Sequence, residues 1–129
     1  MKIEKIFVLF TAAFFFVYGV LFALFPSSLA EIVTGSVPGT ASGLIDMRAT
    51  YGGMSIAMGV VMFLLANNQE TLRLGLLTVI AALLGMAASR TLGLIVDGNP
   101  NKLMYVYLIA EVVLSIVAVL LYRRIGTDG

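Results

Sequence analysis

The chain is 129 residues long, 60% hydrophobic and 12% charged, with a net charge of +1, and its mean hydropathy is +1.06. An ordinary soluble domain carries about 25% charged residues, so this composition excludes one and points to a membrane protein, while the small net charge gives no basic surface for nucleic acid. With no cysteine and no histidine, disulfides, thiol redox chemistry, zinc or haem sites and histidine acid–base chemistry are excluded as well.

At about 30 residues for each span with its connection, the length suits four spans in a single domain. The expected fold is an all-α integral membrane four-helix bundle, with spans over residues 6–25, 44–66, 72–96 and 103–122. Residues 1–5 are short and basic, and the Phe-rich run that follows carries no charge. Ser28-Leu29-Ala30 resembles a signal-peptide cleavage site, but the apolar run of about 20 residues exceeds the 7–15 of a signal core and reads as the first span. Pro26 ends it. Ser28-x-x-Glu31 matches a capping box and predicts a short helix over residues 29–34, lying at the membrane surface. Residues 35–43, GSVPGTASG, read as a loop.

The second span carries a small-residue stripe, Ala49, Gly53 and Ala57, and an adjoining face with Arg48, Tyr51, Gly52, Ser55 and Gly59. Met54, Met58 and Met62 are one turn apart and read as lipid or core contacts. Residues 67–71 form a tight polar turn between antiparallel helices. On the third span Ala81, Gly85, Ser89 and Gly93 recur every fourth residue, a stripe expected to be buried against another helix. Residues 97–101, DGNPN, stop that span. The fourth carries Tyr107, Glu111 and Ser115 on one face, with Tyr105 and Tyr122 as interfacial anchors.

Basic residues set the orientation. Lys2, Lys5, Arg73, Arg123 and Arg124 mark the two termini and the middle turn as cytoplasmic, in a multi-pass inner-membrane protein. The remaining charges then gather in the outer half. Arg90 lies roughly 10 Å inward from Asp97, and Glu111 roughly 12 Å inward from the start of its span, at 1.5 Å per residue. An arginine at mid-bilayer costs about 2.5–3.5 kcal/mol and must be compensated. Their similar depth predicts an Arg90–Glu111 ion pair between the third and fourth spans, with Asp97 as the other partner open to Arg90; in the purely structural reading of these charges Arg48 then pairs with Asp97. Asp46, at the membrane edge, reads as a solvated acid at a helix start.

Arg48, Tyr51, Arg90, Asp97, Tyr107 and Glu111 are the candidate ligand-binding residues. Two arginines could present a forked site to a small anionic or amphiphilic ligand, such as a lipid headgroup or a quinone. The alternatives are a structural or assembly subunit whose buried charges only hold the helices together, and an oligomeric proton-coupled transporter or channel with Glu111 as the proton carrier. No nucleophile–base pairing is legible, so no catalytic residue, metal ligand or cofactor is assigned and an enzyme is the least favoured class. The expected partners are the bilayer, a lipid or small anion, and a second copy of the chain through the small-residue faces.

Asp46-Met47-Arg48-Ala49-Thr50-Tyr51-Gly52-Gly53 resembles the acid-x-R-A-x-Y-G-G signature of a bacterial family of small four-helix membrane proteins, known only as a domain of unknown function. Arg90-Thr91-Leu92-Gly93 followed by Asp97-Gly98-x-Pro100 is similar to that family's second motif, and Glu111 to its acid in the last span. The resemblance implies architecture and no activity. A weaker one, in helix count and hydropathy alone, is to DoxX-like four-helix proteins.

Overall fold

The structure is a computed structural model that describes residues 2–127. The first long helix, α1 (Lys2–Leu24), is followed by a short helix, α2 (Pro26–Thr34). The second long helix is continuous over Ala41–Ala66, but its geometry changes along its length. It begins as α3 (Ala41–Met47), becomes a π-helix over Arg48–Met54, and returns to α4 (Ser55–Ala66). Two further long helices, α5 (Leu72–Val96) and α6 (Lys102–Thr127), complete an all-α bundle with no strand among the described residues. Four helices are long and apolar enough to cross a membrane, and this is a membrane protein. Phe10, Ile95 and Val96 are 65%, 76% and 71% exposed, which suits lipid rather than water as the surrounding solvent.

Two helix pairs dominate the packing, α1 with the Ala41–Ala66 helix and α5 with α6. Glycine makes the first pair close. A Cβ on Gly19 would stand 2.6 Å from both the Gly52 carbonyl oxygen and the Ile56 nitrogen, and one on Gly59 would stand 2.7 Å from the Ala12 carbonyl oxygen. Only hydrogen fits there, and the two backbones touch at both levels. The apolar core lies in the half that carries the termini, where Val8, Ala12 and Phe15 meet Met62, Leu76, Val79, Leu83 and Ala118.

Several expectations change here. The Ala81, Gly85, Ser89, Gly93 stripe is not buried: the first three are exposed, and a Cβ on Gly85 would meet nothing within 4 Å. The buried face of α5 is instead Leu72, Gly75, Leu76, Val79, Leu83 and Ala87, whose larger side chains fill the gap between helix pairs. Ala49, Gly53 and Ala57 also face outward, while the adjoining face, through Gly52 and Gly59, packs on α1. Among the methionines, Met62 is in the core and Met58 packs against it, whereas Met54 is exposed. No capping box forms. Helix α2 starts three residues earlier than expected, with Pro26 in its first turn and no side-chain cap, because proline's fixed φ suits that position without any donor. The loop is shorter too, since Thr40 accepts from the Gly43 N–H at 3.1 Å and starts α3 at Ala41. Helix α2 ends at Gly35 with φ of 78°, and its Val33 carbonyl accepts from the Asn101 side-chain amide at 3.0 Å. That bond ties α2 to the α5–α6 turn.

Candidate functional site

The polar cluster is built by α5 and α6. Met104, Tyr107 and Glu111 follow one another at three- and four-residue steps and so share a face of α6. Arg90 of α5 reaches across to all three. Its Nε donates to both carboxylate oxygens of Glu111, at 3.0 and 3.2 Å. Its Nη2 donates to Oε1 at 2.6 Å, and its Nη1 lies 3.2 Å from the Met104 sulfur. The guanidinium carbon stands 5.1 Å from the centre of the Tyr107 ring, within cation–π range. The ion pair is largely withdrawn from solvent, with the side chains 21% and 8% exposed. One turn below, the buried Ser115 hydroxyl donates to the Glu111 carbonyl at 2.5 Å.

Helix α1 supplies a side chain that sequence reasoning passed over. Tyr18 interacts with Tyr107 through its side chain and lies within electrostatic reach of Tyr51 and Arg90. Its ring stacks on Phe14 with centroids 5.9 Å apart and meets Phe22 at 4.8 Å. Phe22 in turn stacks on Tyr51 at 5.2 Å. An aromatic chain therefore runs from Phe14 through Tyr18 and Phe22 to Tyr51. Tyr18 also borders a groove of about 330 Å³ on the outer face of α1, lined besides by Phe10, Ala13, Phe14, Val17 and Leu21. The available signal was a lone tyrosine six residues from the end of a phenylalanine-rich span, at the same depth as Arg90 and Glu111.

Arg48 is used differently from the expectation. Its Nη1 donates to the Ala23 and Leu24 carbonyls at the end of α1, where the last turn leaves acceptors unsatisfied and the helix dipole favours a cation. Asp97 is exposed and makes no ion pair among the described residues; its backbone N–H closes α5 by donating to Gly93 at 2.8 Å. The expected Arg48–Asp97 pair is therefore absent. Asp97 is the C-cap of α5, its carboxylate lies back beside Gly93, 3.6 Å from where a Cβ there would stand, and the chain turns away after it through Gly98 and Asn99, both at positive φ. The structure thus brings together Arg90, Tyr107 and Glu111, sets Arg48 and Tyr51 on the end of α1, and leaves Asp97 apart.

The π-helix coincides with RATYGGM, the heart of the first motif. Such turns are rare and concentrate at functional sites. Here the segment lets Arg48 reach the α1 carbonyls, Tyr51 reach Phe22 and Gly52 lie against Ala23, where a Cβ would stand 3.0 Å from the Ala23 backbone. At the opposite end lies a charge that sequence reasoning also missed. Glu4 is 1% exposed, and Arg124 stands 3.5 Å from its carboxylate. Nearby, Arg73 covers the Tyr122 ring at 4.5 Å.

The family described as Domain of unknown function (DUF4345) matches residues 3–122. The chain belongs to that family. The matched stretch contains Arg48, Tyr51, Arg90, Asp97, Tyr107 and Glu111. No curated protein and no solved structure matches the chain.

Proposed function

We propose that this is a non-catalytic, multi-pass inner-membrane protein that binds an amphiphilic ligand, its tail along the α1 groove and its head at the Tyr18–Tyr107 junction. The observation that carries this reading is the double membership of Tyr18. It lines the apolar groove with Phe10, Ala13, Phe14, Val17 and Leu21, and it interacts with Tyr107 in the polar cluster. A tail and a head would thus meet the protein within one side chain of each other. The positive-inside rule puts the termini in the cytoplasm and the junction in the outer half of the membrane.

The charges suit a structural part in the same protein. Arg90 and Glu111 clip α5 to α6, and Arg48 holds the end of α1 against the π-helix. These are roles in holding the bundle, which leaves the tyrosines and the groove for recognition.

Native mass spectrometry of the protein in mild detergent tests the proposal. The wild-type protein should retain an amphiphile of defined mass. Ala13→Trp, on an exposed position of the groove, should reduce that adduct about ten-fold while leaving thermal stability within about 0.5 kcal/mol, as expected for a surface change. Equal retention by the two proteins would overturn the reading.

A further inference from the structure

The end of the bundle that carries the termini holds cations that meet no acid. Arg73 opens α5 and Arg123 stands near the close of α6, so the two antiparallel helices bring both to this rim. Arg124 faces Glu4, 3.5 Å from its carboxylate. Arg73 instead lies over the Tyr122 ring, 4.5 Å from its centre, with Nη2 3.5 Å from where a Cβ on Gly126 would stand. The ring holds the guanidinium against α6 through its face, which leaves the N–H groups in the guanidinium plane for another acceptor. Among the described residues neither Arg73 nor Arg123 forms an ion pair, and both are exposed. The two ends also differ in sign. Lys2, Lys5, Arg73, Arg123 and Arg124 outnumber Glu4, Glu70 and Asp128, whereas Glu31, Asp46, Asp97 and Glu111 outnumber Arg48, Arg90 and Lys102 at the other end.

These two arginines continue a groove. It measures about 230 Å³ and runs between the two helices, lined by Leu84 of α5 and by Val112, Ser115, Ile116, Val119 and Leu120 of α6. Arg123 follows Ile116 by seven residues and Val119 by four, and Arg73 precedes Leu84 by eleven. At 3.6 residues per turn each arginine therefore shares a helix face with the groove, and Arg123 lies roughly 10 Å beyond Ile116 along the axis. We propose that the α5–α6 groove binds a phospholipid with an anionic head group, its phosphate between Arg73 and Arg123 and one acyl chain along Leu84, Ile116 and Val119. The apolar groove and the cations follow one another in the order in which a phospholipid presents chain and phosphate. Arginine's planar fork matches phosphate oxygens, while a zwitterionic head would bring its own cation against the pair. The positive-inside rule puts this rim in the cytoplasmic leaflet, whose surface is anionic. The site is separate from the α1 groove and does not depend on a ligand there.

A lipid competition tests it. The protein in dodecylmaltoside is mixed with equimolar dioleoylphosphatidylglycerol and dioleoylphosphatidylcholine, and bound species are counted by native mass spectrometry. At about five-fold for each arginine beside the head group, phosphatidylglycerol should exceed phosphatidylcholine about twenty-fold. Arg73→Gln and Arg123→Gln should each cut that preference about five-fold. Lys2→Gln removes the same charge from α1 at the same end, and Ala13→Trp alters the α1 groove; each should change the preference by less than about two-fold. Equal retention of the two lipids by the wild-type protein would overturn the proposal. So would a loss with Lys2→Gln as large as with Arg73→Gln, which would show a diffuse attraction of the whole rim rather than a site. Inorganic phosphate at about 10 mM should leave the lipid adduct in place, because the groove holds the chain as well as the head. Displacement of the lipid by phosphate would show that the arginines take a free anion and would overturn the lipid as occupant. If Arg73→Gln fails to fold through loss of the Tyr122 contact, Arg123→Gln, at an exposed position, still decides the inference.

Discussion

The two halves of this bundle hold together by different means. In the half with the termini, Val8, Ala12, Met62, Leu76, Val79, Leu83 and Ala118 interlock across all four long helices, and the charges Glu4, Arg124 and Arg73 gather at its rim. In the other half the helices pair off. Glycines bring α1 against the Ala41–Ala66 helix, the Arg90–Glu111 pair joins α5 to α6, and tyrosines meet between the pairs. The difference teaches where function can reside. An interlocked apolar core has no groups with which to recognise a ligand, whereas two helix pairs joined by aromatic and polar contacts present side chains that a ligand can meet.

The comparison breaks most severely at Gly19. A larger side chain there would run into the backbone of the facing helix, 2.6 Å from its Cβ, where neither helix can yield without losing the whole α1 contact. Gly19→Leu should cost about 3 kcal/mol or more, the upper range of overpacking, seen as lost folded yield or a large drop in Tm in detergent. Gly85→Leu, with open space around its Cβ, should stay within about 0.5 kcal/mol of wild type. A loss at Gly85 as large as at Gly19 would mean that a second copy of the chain covers the outward stripe.

Next in size is the ion pair. Arg90→Met or Glu111→Leu alone should cost about 3–5 kcal/mol by leaving one charge buried, and the double change should recover most of that loss. A double-mutant cycle on thermal or denaturant unfolding measures it. Simple additivity would show that the pair does not join α5 to α6, and the second half would need another explanation for its cohesion.

Arg48 gives a smaller effect and a direct check on its partner. Arg48→Gln should cost about 1 kcal/mol, below the 1.5–3 of a buried charge-assisted bond because the side chain is exposed. Asp97→Asn should change stability by less than about 0.5 kcal/mol, and the two changes should add, since residues without a shared contact do not couple. Coupling above about 0.5 kcal/mol would restore the Arg48–Asp97 pair and detach Arg48 from the end of α1.

The four long helices were legible because runs of apolar residues between polar turns leave little choice, although the first begins at Lys2 rather than residue 6 and the last runs on to Thr127 rather than stopping at residue 122. The Arg90–Glu111 pair was legible from depth alone, because mid-span charges are scarce and must find each other. Which way each helix turns was not. Around a span the lipid side is as apolar as the bundle side, so the hydrophobic pattern that orients a helix in water is absent. A small-residue stripe such as Ala81, Gly85 and Ser89 then marks a surface without saying what faces it. The same blindness hid Tyr18, an uncharged residue in an aromatic run. Glu4 was hidden by its basic neighbours, because nothing in residues 1–5 shows that Arg124, at the far end of the chain, returns to meet it.

The finest comparison is between two cation–π contacts, Arg73 over Tyr122 at 4.5 Å and Arg90 over Tyr107 at 5.1 Å. By distance alone the first should be stronger. Environment argues the reverse, because Arg73 sits at the rim among other charges while Arg90 is shielded within the bundle, and such contacts range from about 0.5–1 kcal/mol when exposed to about 2 when desolvated. A cycle of Arg73→Met and Tyr122→Leu should therefore give a coupling of about 0.5–1 kcal/mol that shrinks in high salt, as a contact within reach of counter-ions must. Tyr107→Leu should lose about 1–2 kcal/mol beyond its apolar packing, with little response to salt. Equal couplings with equal salt dependence would show that the two ends are solvated alike. The cluster at Tyr107 would then lose the shielding that makes an unpaired charge costly there, and with it the reason for Arg90 and Glu111 to need each other.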